Sequence, residues 1–330
     1  LVGSEMCIRD SPYPDAYFVR PQSFIVYDHQ AEIAHLCCLA GDGAEQLLNR
    51  LEAALAAEES RSSGEDSGAS LSAGSWRSPG YLERIKRAQE FLHAGESYEV
   101  CLTDTYSAAA EGELYPQLRS HNPAPYAAHL VFDGVEVCSA SPERFLTVRG
   151  RKVEAKPIKG TISADQDPAL LTTDPKTRAE NLMIVDLLRN DLSRVCEPGS
   201  VHVPKLMQVE NYATVHQLVS TITGQLRASA TAVDALRATF PPGSMTGAPK
   251  LRTCEIIDRL ETGPRGVYSG VVGYLGFDGQ SDLSVVIRTA VRAAGEVTIG
   301  AGGAIVLESD PAAELEERNL KAQSVLGAWQ

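Results

Sequence analysis

The amino-acid sequence predicts a large α+β fold. It contains more strand-like runs than a simple alternation of strands and helices would give, which argues against a doubly wound sheet. The chain has 330 residues, a length that exceeds one typical domain but still allows a single large core. Hydrophobic residues make up 43% and charged residues 22%, as in ordinary globular proteins.

Charge and cysteine content exclude several classes of function. The formal net charge is −13, so the surface repels phosphate backbones and anionic membranes, and we expect no nucleic acid or membrane partner. No apolar run is long enough to span a bilayer, and no signal peptide opens the chain. The seven cysteines are scattered without a CxxC pair, which indicates neither a disulfide framework nor a zinc site. We therefore expect a cytoplasmic protein.

The chain divides into three parts by composition. Residues 1–59 are predicted to be the remnant of an N-terminal region, because the first residue is Leu1 rather than Met. Within them, residues 1–12 show no periodicity and are expected to be an artefact. Residues 60–80 are rich in Ser and Gly and are predicted to be a flexible linker. Residues 81–330 are dense in strand-like and helical patterns and form the predicted main domain.

The elements follow from local periodicity. Residues 17–40 contain strand-like runs, and residues 44–58 follow a helical period. Residues 81–95 form an amphipathic helical pattern that ends at Gly95, a residue suited to a helix C-terminus. Further strands are predicted at residues 128–133, 135–139, 145–149, 267–277, 283–291 and 296–301. Further helices are predicted at residues 176–189, 231–239, 249–261 and 311–328.

The C-terminal helix carries charged side chains on one face. Asp310 followed by Pro311 is a good N-cap and first-turn pair. Glu314, Glu317 and Lys321 then follow at spacings of three and four residues, so they share one face. On an isolated helix this pattern indicates a solvated ladder of ion pairs. Its position after a glycine cluster leaves a binding role open.

That glycine cluster comprises Gly300, Gly302 and Gly303 in a strand-like run. Adjacent glycines allow a ligand to approach backbone N–H groups closely, which suits a carboxylate, although they also occur in β-bulges. A second carboxylate, Glu180, lies on the helix predicted at residues 176–189. Hard cations such as Mg²⁺ prefer carboxylate oxygens, so Glu180 with Glu317 is a candidate divalent site.

Two further segments carry candidate catalytic groups. Lys159 in KPIKGT is predicted at a strand end, where it is either simply exposed or a nucleophile if burial lowers its pKa. Glu143 in SPERF follows Pro142 at a turn, where a carboxylic acid could donate a proton.

The segment FPPGSMTGAPKLRTCEIIDRLE, residues 240–261, is not a phosphate loop, because Lys250 follows Pro249 and no Ser or Thr follows the lysine. A Gly- and Pro-rich turn before a helix is still a candidate anion or hydroxyl site. Tyr268 and Arg288 are predicted on neighbouring strands, and an arginine among apolar residues normally needs an anionic partner.

Together these segments resemble the chorismate-binding enzymes: anthranilate synthase component I, aminodeoxychorismate synthase component I, isochorismate synthase and salicylate synthase. The resemblance runs from about residue 81 to residue 330. It implies a large α+β sandwich of two β-sheets with helices packed outside and the active site in a cleft between them.

The resemblance also implies ligands for particular residues. Mg²⁺ would be held by Glu180 and Glu317, with Glu314 assisting. The substrate-binding set would comprise Ser244, Tyr268, Arg288, Gly302, Gly303 and Lys321, with several of these on the carboxylates of chorismate.

One position separates the branches of this family. Anthranilate synthases have a segment that resembles PIAGT where this chain has PIKGT. The lysine at position 159 therefore makes this chain similar to the aminodeoxychorismate synthases at that segment. This likeness implies amination of chorismate at C4, with Glu143 protonating the departing hydroxyl and Lys159 attacking C2, for p-aminobenzoate and folate biosynthesis. No glutaminase signature is present, so ammonia is expected from a separate glutaminase subunit.

Two departures from the family pattern are visible. Gln217 stands where relatives have histidine, and the neighbouring His216 should face the other way on a strand. Ala304 stands where many relatives have glycine. Anthranilate synthase, isochorismate synthase and salicylate synthase remain alternatives, as does a non-catalytic chorismate-binding subunit.

Overall fold

The computed structural model describes residues 11, 13–41, 43–60, 68–211 and 215–329. The chain forms two compact units, one of Pro14–Ser67 and one of Leu1–Tyr13 with Gly68–Gln330. Two predictions fall partly outside the described residues: the N-terminal artefact at residues 1–10 and 12, and the linker at residues 61–67.

The smaller unit is a hairpin with one helix. Strand β1 (Ser23–Asp28) pairs antiparallel with β2 (Ile33–Cys38), and helix α1 (Ala44–Ser60) follows. The turn is closed by the Asp28 carboxylate, whose Oδ1 accepts hydrogen bonds from the backbone N–H groups of Gln30 and Ala31 at 2.8 and 3.0 Å. The strand-like material and the helical period predicted here are confirmed.

The larger unit contains the remaining strands and helices. Its strands are β3 (Ser70–Leu71), β4 (Ser75–Trp76), β5 (Glu99–Glu111), β6 (Tyr126–Phe132), β7 (Val135–Ser141), β8 (Arg144–Arg149), β9 (Lys152–Lys156), β10 (Ile158–Ser163), β11 (His202–Asn211), β12 (Val215–Gln225), β13 (Gly247–Ala248), β14 (Val271–Leu275), β15 (Ser281–Val285), β16 (Thr289–Ala293) and β17 (Glu296–Ile305). Its helices are α2 (Tyr81–His93), α3 (Leu114–His121), α4 (Ala169–Thr173), α5 (Pro175–Ser193), α6 (Ala232–Thr239), α7 (Lys250–Leu260) and α8 (Pro311–Leu326).

The strands form two antiparallel sheets, which confirms the α+β class with two sheets. One sheet has eight strands in the order β13-β5-β17-β16-β7-β6, with β3 and β4 also paired to β5. The other has seven strands in the order β10-β12-β9-β8-β15-β14, with β11 paired to β12.

Helices pack on both sheets. Ile184 of α5 shares a buried cluster with Leu146 of β8 in the seven-stranded sheet. Ile85 of α2 and Ile256 of α7 share another with Leu102 of β5 in the eight-stranded sheet. Helices α3 and α8 contribute to a third cluster on that sheet. Among the described helices, none is both long and apolar enough to cross a membrane.

Two predicted strands are wrong in their extent. The run at 267–277 begins as a turn, in which Ser269 has φ 62°, before β14 starts. The run at 283–291 is interrupted, because β15 belongs to the seven-stranded sheet and β16 to the eight-stranded sheet. Arg288 lies at this crossing with φ 49°. Apolar, β-branched residues predict strand on either side, but they carry no signal of the change of sheet.

Residues 68–80, predicted as part of a flexible linker, instead add backbone pairs to β5. Leu71 pairs with Ala110, and Trp76 pairs with Tyr106. The long strand β5 offers free backbone groups at this edge, so even a Ser- and Gly-rich segment can extend the sheet.

The two helices that carry predicted site residues begin at aspartate caps. The Asp174 carboxylate accepts a 2.7 Å hydrogen bond from Thr177 N at the start of α5. The Asp310 carboxylate accepts a 2.8 Å hydrogen bond from Ala313 N at the start of α8, as predicted from the Asp-Pro pair. Both caps satisfy backbone donors that would otherwise lack partners, and they fix the first turn of each helix.

Candidate active site

Lys159 lies between two carboxylates that come from different elements. Its Nζ donates to Oε1 of Glu99 on β5 at 3.1 Å and lies 3.8 Å from Oε2 of Glu180 on α5. The Lys159 side chain is 10% exposed and that of Glu99 is fully buried. Because β10 and β5 belong to different sheets, this ion pair spans the space between the sheets.

The pKa of Lys159 is raised, contrary to the lowering that a nucleophilic lysine was expected to show. Burial alone would lower the pKa, but the negative charges of Glu99 and Glu180 outweigh it. With these two carboxylates beside it, the lysine is therefore held as an ammonium ion.

Glu143 is a buried carboxyl group with a single hydroxyl partner. It follows β7 at the turn before β8, and Ser244 Oγ donates to its Oε1 at 2.7 Å. Burial raises the pKa of Glu143 to about 7, although the Ser244 hydrogen bond and the charges of Lys159 and Lys321 act in the opposite direction. Near neutral pH a large fraction of Glu143 is thus protonated and able to donate a proton.

Glu180 and Glu314 are joined through Lys176. The Lys176 Nζ lies 2.6 Å from Oε1 of Glu314 and 3.7 Å from Oε1 of Glu180. Ser309 Oγ also donates to Oε1 of Glu314 at 2.6 Å. Burial raises the pKa of Glu180, and the nearby positive charge of Lys159 only partly offsets this.

Glu317 lies one turn further along α8 and pairs with Lys321. The Lys321 Nζ donates to Oε1 of Glu317 at 2.6 Å and to the backbone oxygen of Gly302 at 2.9 Å. Burial would raise the pKa of Glu317, but the positive charges of Lys321, Lys176 and Lys159 lower it overall. The predicted solvated ladder is therefore present only in part, because Glu317 pairs with Lys321 whereas Glu314 is buried and pairs with Lys176.

These carboxylates have the chemistry of a divalent-cation site. Oε2 of Glu314 is buried and has no hydrogen-bond partner, so it has a free acceptor for a cation. An ammonium group already bridges Glu314 and Glu180, which shows that the two carboxylates can share one positive charge. The donor set of Glu180, Glu314 and Glu317 fits Mg²⁺, although their oxygens do not all lie within 4.8 Å of one another.

A different group of metal-ligating atoms does lie within that distance. Among the described residues it consists of His129, Glu136 and Cys138 on β6 and β7. His129 Nε2 lies 2.9 Å from Oε1 of Glu136, and Arg292 pairs with the other oxygen of that carboxylate. Burial raises the pKa of the Cys138 thiol, which disfavours the thiolate needed for metal binding.

The glycines of β17 allow the side chains of Tyr268 and Glu314 to lie directly against the strand backbone. A Cβ at Gly300 would lie 2.2 Å from the Tyr268 ring, and one at Gly303 would lie 2.6 Å from Oε2 of Glu314. The pairing of β17 with β5 runs through all three glycines without a register shift, so the alternative of a β-bulge is wrong. A side chain at position 303 would crowd the carboxylates of α8.

Tyr268 and Arg288 lie outside the strands in which they were predicted. Tyr268 is buried in the turn before β14, and burial raises the pKa of its hydroxyl. The Arg288 backbone oxygen accepts a 3.1 Å hydrogen bond from Ala140 N, three residues before Glu143. Burial alone lowers the pKa of Arg288, with no contribution from a carboxylate of the described chain. The anionic partner expected for this arginine is therefore not supplied by those residues.

Three residues of the site were missed by sequence reasoning. They are Glu99, Lys176 and Ser309, which contact Lys159, Glu180 and Glu314. Lys176 could have been found, because it precedes Glu180 by one helical turn. Glu99 stands in an apolar stretch, SYEVCLT, where a charged residue is itself a signal.

Gln217, which departs from the family pattern, contacts the strand that carries Lys159. Gln217 is 4% exposed and its Nε2 lies 3.5 Å from Oγ1 of Thr161, two residues after Lys159. His216 bonds instead to the backbone oxygen of Ala164 at 3.2 Å. The histidine is therefore turned away from Gln217, as the alternation of side chains along β12 predicts.

Comparison with known proteins gives consistent relatives. A family model described as chorismate binding enzyme matches residues 8–327. An "Aminodeoxychorismate synthase" of Streptomyces griseus is 47% identical over 338 residues, which cover 96% of this chain and 46% of that protein. An "Aminodeoxychorismate synthase component 1" of Klebsiella aerogenes is 46% identical over 256 residues, which cover 74% of this chain and 57% of that protein. The chain thus spans about half the length of these curated relatives.

A solved structure has the same fold. The crystal structure of anthranilate synthase component I from Streptococcus pneumoniae TIGR4 matches with a TM-score of 0.86 and 32% identity, over 98% of this chain and 79% of that one. The sandwich of two sheets predicted from the resemblance is therefore confirmed. Because the family model covers nearly its whole length, this chain belongs to the chorismate binding enzyme family.

Proposed function

We propose that this chain aminates chorismate at C4, giving 4-amino-4-deoxychorismate for p-aminobenzoate and folate synthesis. The observation that carries this proposal is the position of Lys159, whose amine lies in a buried site between Glu99 and Glu180. Its charge also reaches Glu143, whose pKa it lowers. The proposal therefore pairs Lys159 as nucleophile with Glu143 as proton donor.

The reaction proceeds in two displacements. Glu143 gives its proton to the C4 hydroxyl, which leaves as water while the neutral amine of Lys159 forms a bond to C2 and the ring double bonds shift. Ammonia then bonds to C4, the double bonds shift back, and the C2–N bond to Lys159 breaks. Since the pKa of Lys159 is raised, its ammonium ion must lose a proton before the amine attacks C2.

The acidic residues of α5 and α8 serve the metal in this proposal. Glu180 and Glu317 hold Mg²⁺, with Glu314 assisting, and the bound ion supplies Lewis-acid stabilisation and orientation of the substrate. Arg288, Tyr268, Gly302, Gly303 and Lys321 bind the substrate carboxylates, and Ser244 orients the carboxyl group of Glu143.

Ammonia comes, in this proposal, from a glutaminase subunit. The name "component 1" of the Klebsiella aerogenes relative implies a second component, and the longer Streptomyces griseus relative has room for a further domain. We also infer a reducing, cytoplasmic location from the seven scattered cysteines of the sequence.

Anthranilate synthesis is the second candidate function. It is favoured by the likeness to the anthranilate synthase of Streptococcus pneumoniae TIGR4. In that reaction nitrogen enters at C2, the carbon to which Lys159 bonds in the present proposal. Lys159 therefore argues against it, and the identity of the product decides between the two.

The first experiment incubates the purified chain with chorismate, Mg²⁺ and ammonium. Products are separated by chromatography against standards and identified by mass. We expect 4-amino-4-deoxychorismate from the wild type and its loss on removal of Mg²⁺ or in Lys159→Ala.

Lys156→Ala is the matched control, because Lys156 lies in the same segment but pairs with Glu210 at 2.6 Å. It should retain turnover. Anthranilate as the product would overturn the assignment of C4, and full turnover by Lys159→Ala would overturn the covalent role of the lysine.

A further inference from the structure

Glu99 is a wholly buried carboxylate that the proposed reaction has not used. It lies at the start of β5, next to the loop that carries Ser244. The Ser97 hydroxyl donates to the Glu99 backbone oxygen at 2.9 Å, and a Cβ at Gly247 would lie 2.0 Å from that oxygen. The backbone of Glu99 is therefore tightly enclosed, and its side chain has a fixed origin.

The Glu99 carboxylate is directed at Lys159. Its Oε1 accepts the 3.1 Å hydrogen bond from Lys159 Nζ, whereas its Oε2 is buried without a partner. Burial of an ionised carboxylate is costly unless it is paired, so this residue would be unfavourable without the lysine.

The pair joins the two halves of the fold. Lys159 extends from β10 in the seven-stranded sheet, and Glu99 from β5 in the eight-stranded sheet. A lysine side chain is a flexible stem of four carbons, so its amine needs a hydrogen-bonding partner to stay at one point between the sheets.

Glu180 is the weaker anchor of the two. It lies 3.8 Å from Lys159 Nζ, and it is also a proposed ligand of Mg²⁺. A carboxylate that holds a metal has less negative charge to offer to an ammonium ion. Glu99 lies closer to the Lys159 amine and is not a proposed ligand of the metal.

We propose that Glu99 is a positioning residue, which holds the amine of Lys159 between the two sheets at the point where it meets the substrate. This inference rests on the proposed function for its consequence in catalysis. The anchoring itself is a property of the chain and can be measured without turnover.

The test compares Glu99→Gln with Glu99→Asp and with Asp191→Asn. Asp191 is a matched control, since its buried carboxylate pairs with Lys250 at 2.6 Å outside the proposed site. Each protein is treated with a limiting amount of acetic anhydride, and acetylation of Lys159 is quantified by peptide mass spectrometry. Thermal unfolding of each variant shows that it is folded.

In Glu99→Gln we expect acetylation of Lys159 to rise about tenfold, the factor that loss of one charge-assisted hydrogen bond corresponds to. Asp191→Asn should leave it at the wild-type rate. Glu99→Asp keeps the charge but is one methylene shorter, so it should give an intermediate rate even if Glu99→Gln folds poorly. Equal acetylation in the wild type and both Glu99 variants would overturn the inference.

Turnover gives the second readout. A misplaced nucleophile should lower kcat of Glu99→Gln about 100-fold, while KM for chorismate stays within about twofold because substrate contacts are intact. Partial recovery of kcat in Glu99→Asp is expected. A rise in KM with unchanged kcat would overturn the positioning role. If the wild type forms no C4-aminated product, the proposed function is wrong, and the acetylation rates still decide whether Glu99 anchors Lys159.

Discussion

The carboxyl group of Glu143 is buried, and burial disfavours its ionised form. Burial raises its pKa from an ordinary value of 4.5 to about 7, despite the hydrogen bond from Ser244 and two lysines. The folded state therefore retains a proton between these pH values that the unfolded state has lost. Stability falls as the pH rises through this window and stays lower above it.

Glu143→Gln should remove this pH dependence. The rise of the Glu143 pKa from 4.5 to about 7 corresponds to about 3 kcal/mol of free energy of unfolding. We expect the variant to gain up to that much free energy of unfolding relative to the wild type as the pH rises from 4.5 to 7. Urea unfolding at several pH values measures it. Glu316→Gln, on the exposed surface of α8, is the control. A difference that does not change with pH would contradict the assigned burial cost.

At Gly303, the addition of a single carbon atom is expected to affect the neighbouring carboxylates. A Cβ there would lie 2.6 Å from Oε2 of Glu314, which is the free end of a side chain rather than backbone. Moving this buried carboxylate strains its hydrogen bonds from Lys176 and Ser309, so Gly303→Ala should lower the free energy of unfolding by about 1–3 kcal/mol. It should also weaken Mg²⁺ binding about tenfold, since displaced ligands lose affinity on this scale.

Calorimetric titration with Mg²⁺ and the Mg²⁺ dependence of turnover measure this effect. Gly263→Ala is the matched control, because a Cβ at that position meets no atom within 4 Å. Unchanged Mg²⁺ affinity in Gly303→Ala would place the metal away from Glu314.

At the scale of elements, α8 presents the acidic groups because its first turn is capped. The Asp310 carboxylate bonds to Ala313 N, one residue before Glu314. Asp310→Ala should lower the free energy of unfolding by about 1 kcal/mol, the usual cost of losing an N-cap. Thermal or urea unfolding measures the loss. Glu316→Ala removes a charge from the same helix without removing the cap, and an equal loss in that variant would contradict the capping role.

At the scale of the whole molecule, Asp104 ties two helices to the eight-stranded sheet. Its Oδ2 accepts from Arg84 of α2 at 2.9 Å and from Arg318 of α8 at 3.1 Å. All three side chains are almost completely buried. Arg318 also lies over the Trp76 ring, 3.8 Å from its centroid. The cluster therefore fixes the helix that carries Glu314 and Glu317 relative to β5.

Asp104→Asn should leave two buried guanidinium groups without a counter-charge. We expect a loss of about 3–5 kcal/mol in unfolding free energy, the range for breaking a buried ion pair. Urea unfolding measures it. Asp133→Asn, in the exposed turn between β6 and β7, is the control and should change stability little. A loss below about 1 kcal/mol in Asp104→Asn would show that the arginines find other partners.

The features that the sequence predicts correctly depend on neighbouring residues. The helix predicted at residues 176–189, the helix that begins after Asp310, the helix that ends before Gly95 and the shared face of Glu314 and Glu317 follow from local caps and periods. The family itself was also predicted, because its motifs are short and occur in order along the chain.

Only the tertiary structure decides how distant segments meet. The change of sheet at Arg288 and the contact between Glu99 and Lys159 join residues that local patterns treat separately. The raised pKa of Lys159 has the same origin, because burial and two carboxylates act on it in opposite directions. The sequence by itself determined which charged groups are present and which helices carry them. Only the tertiary structure decided which of these groups form ion pairs, because the strength of an ion pair depends on the distance between the charges and on their burial.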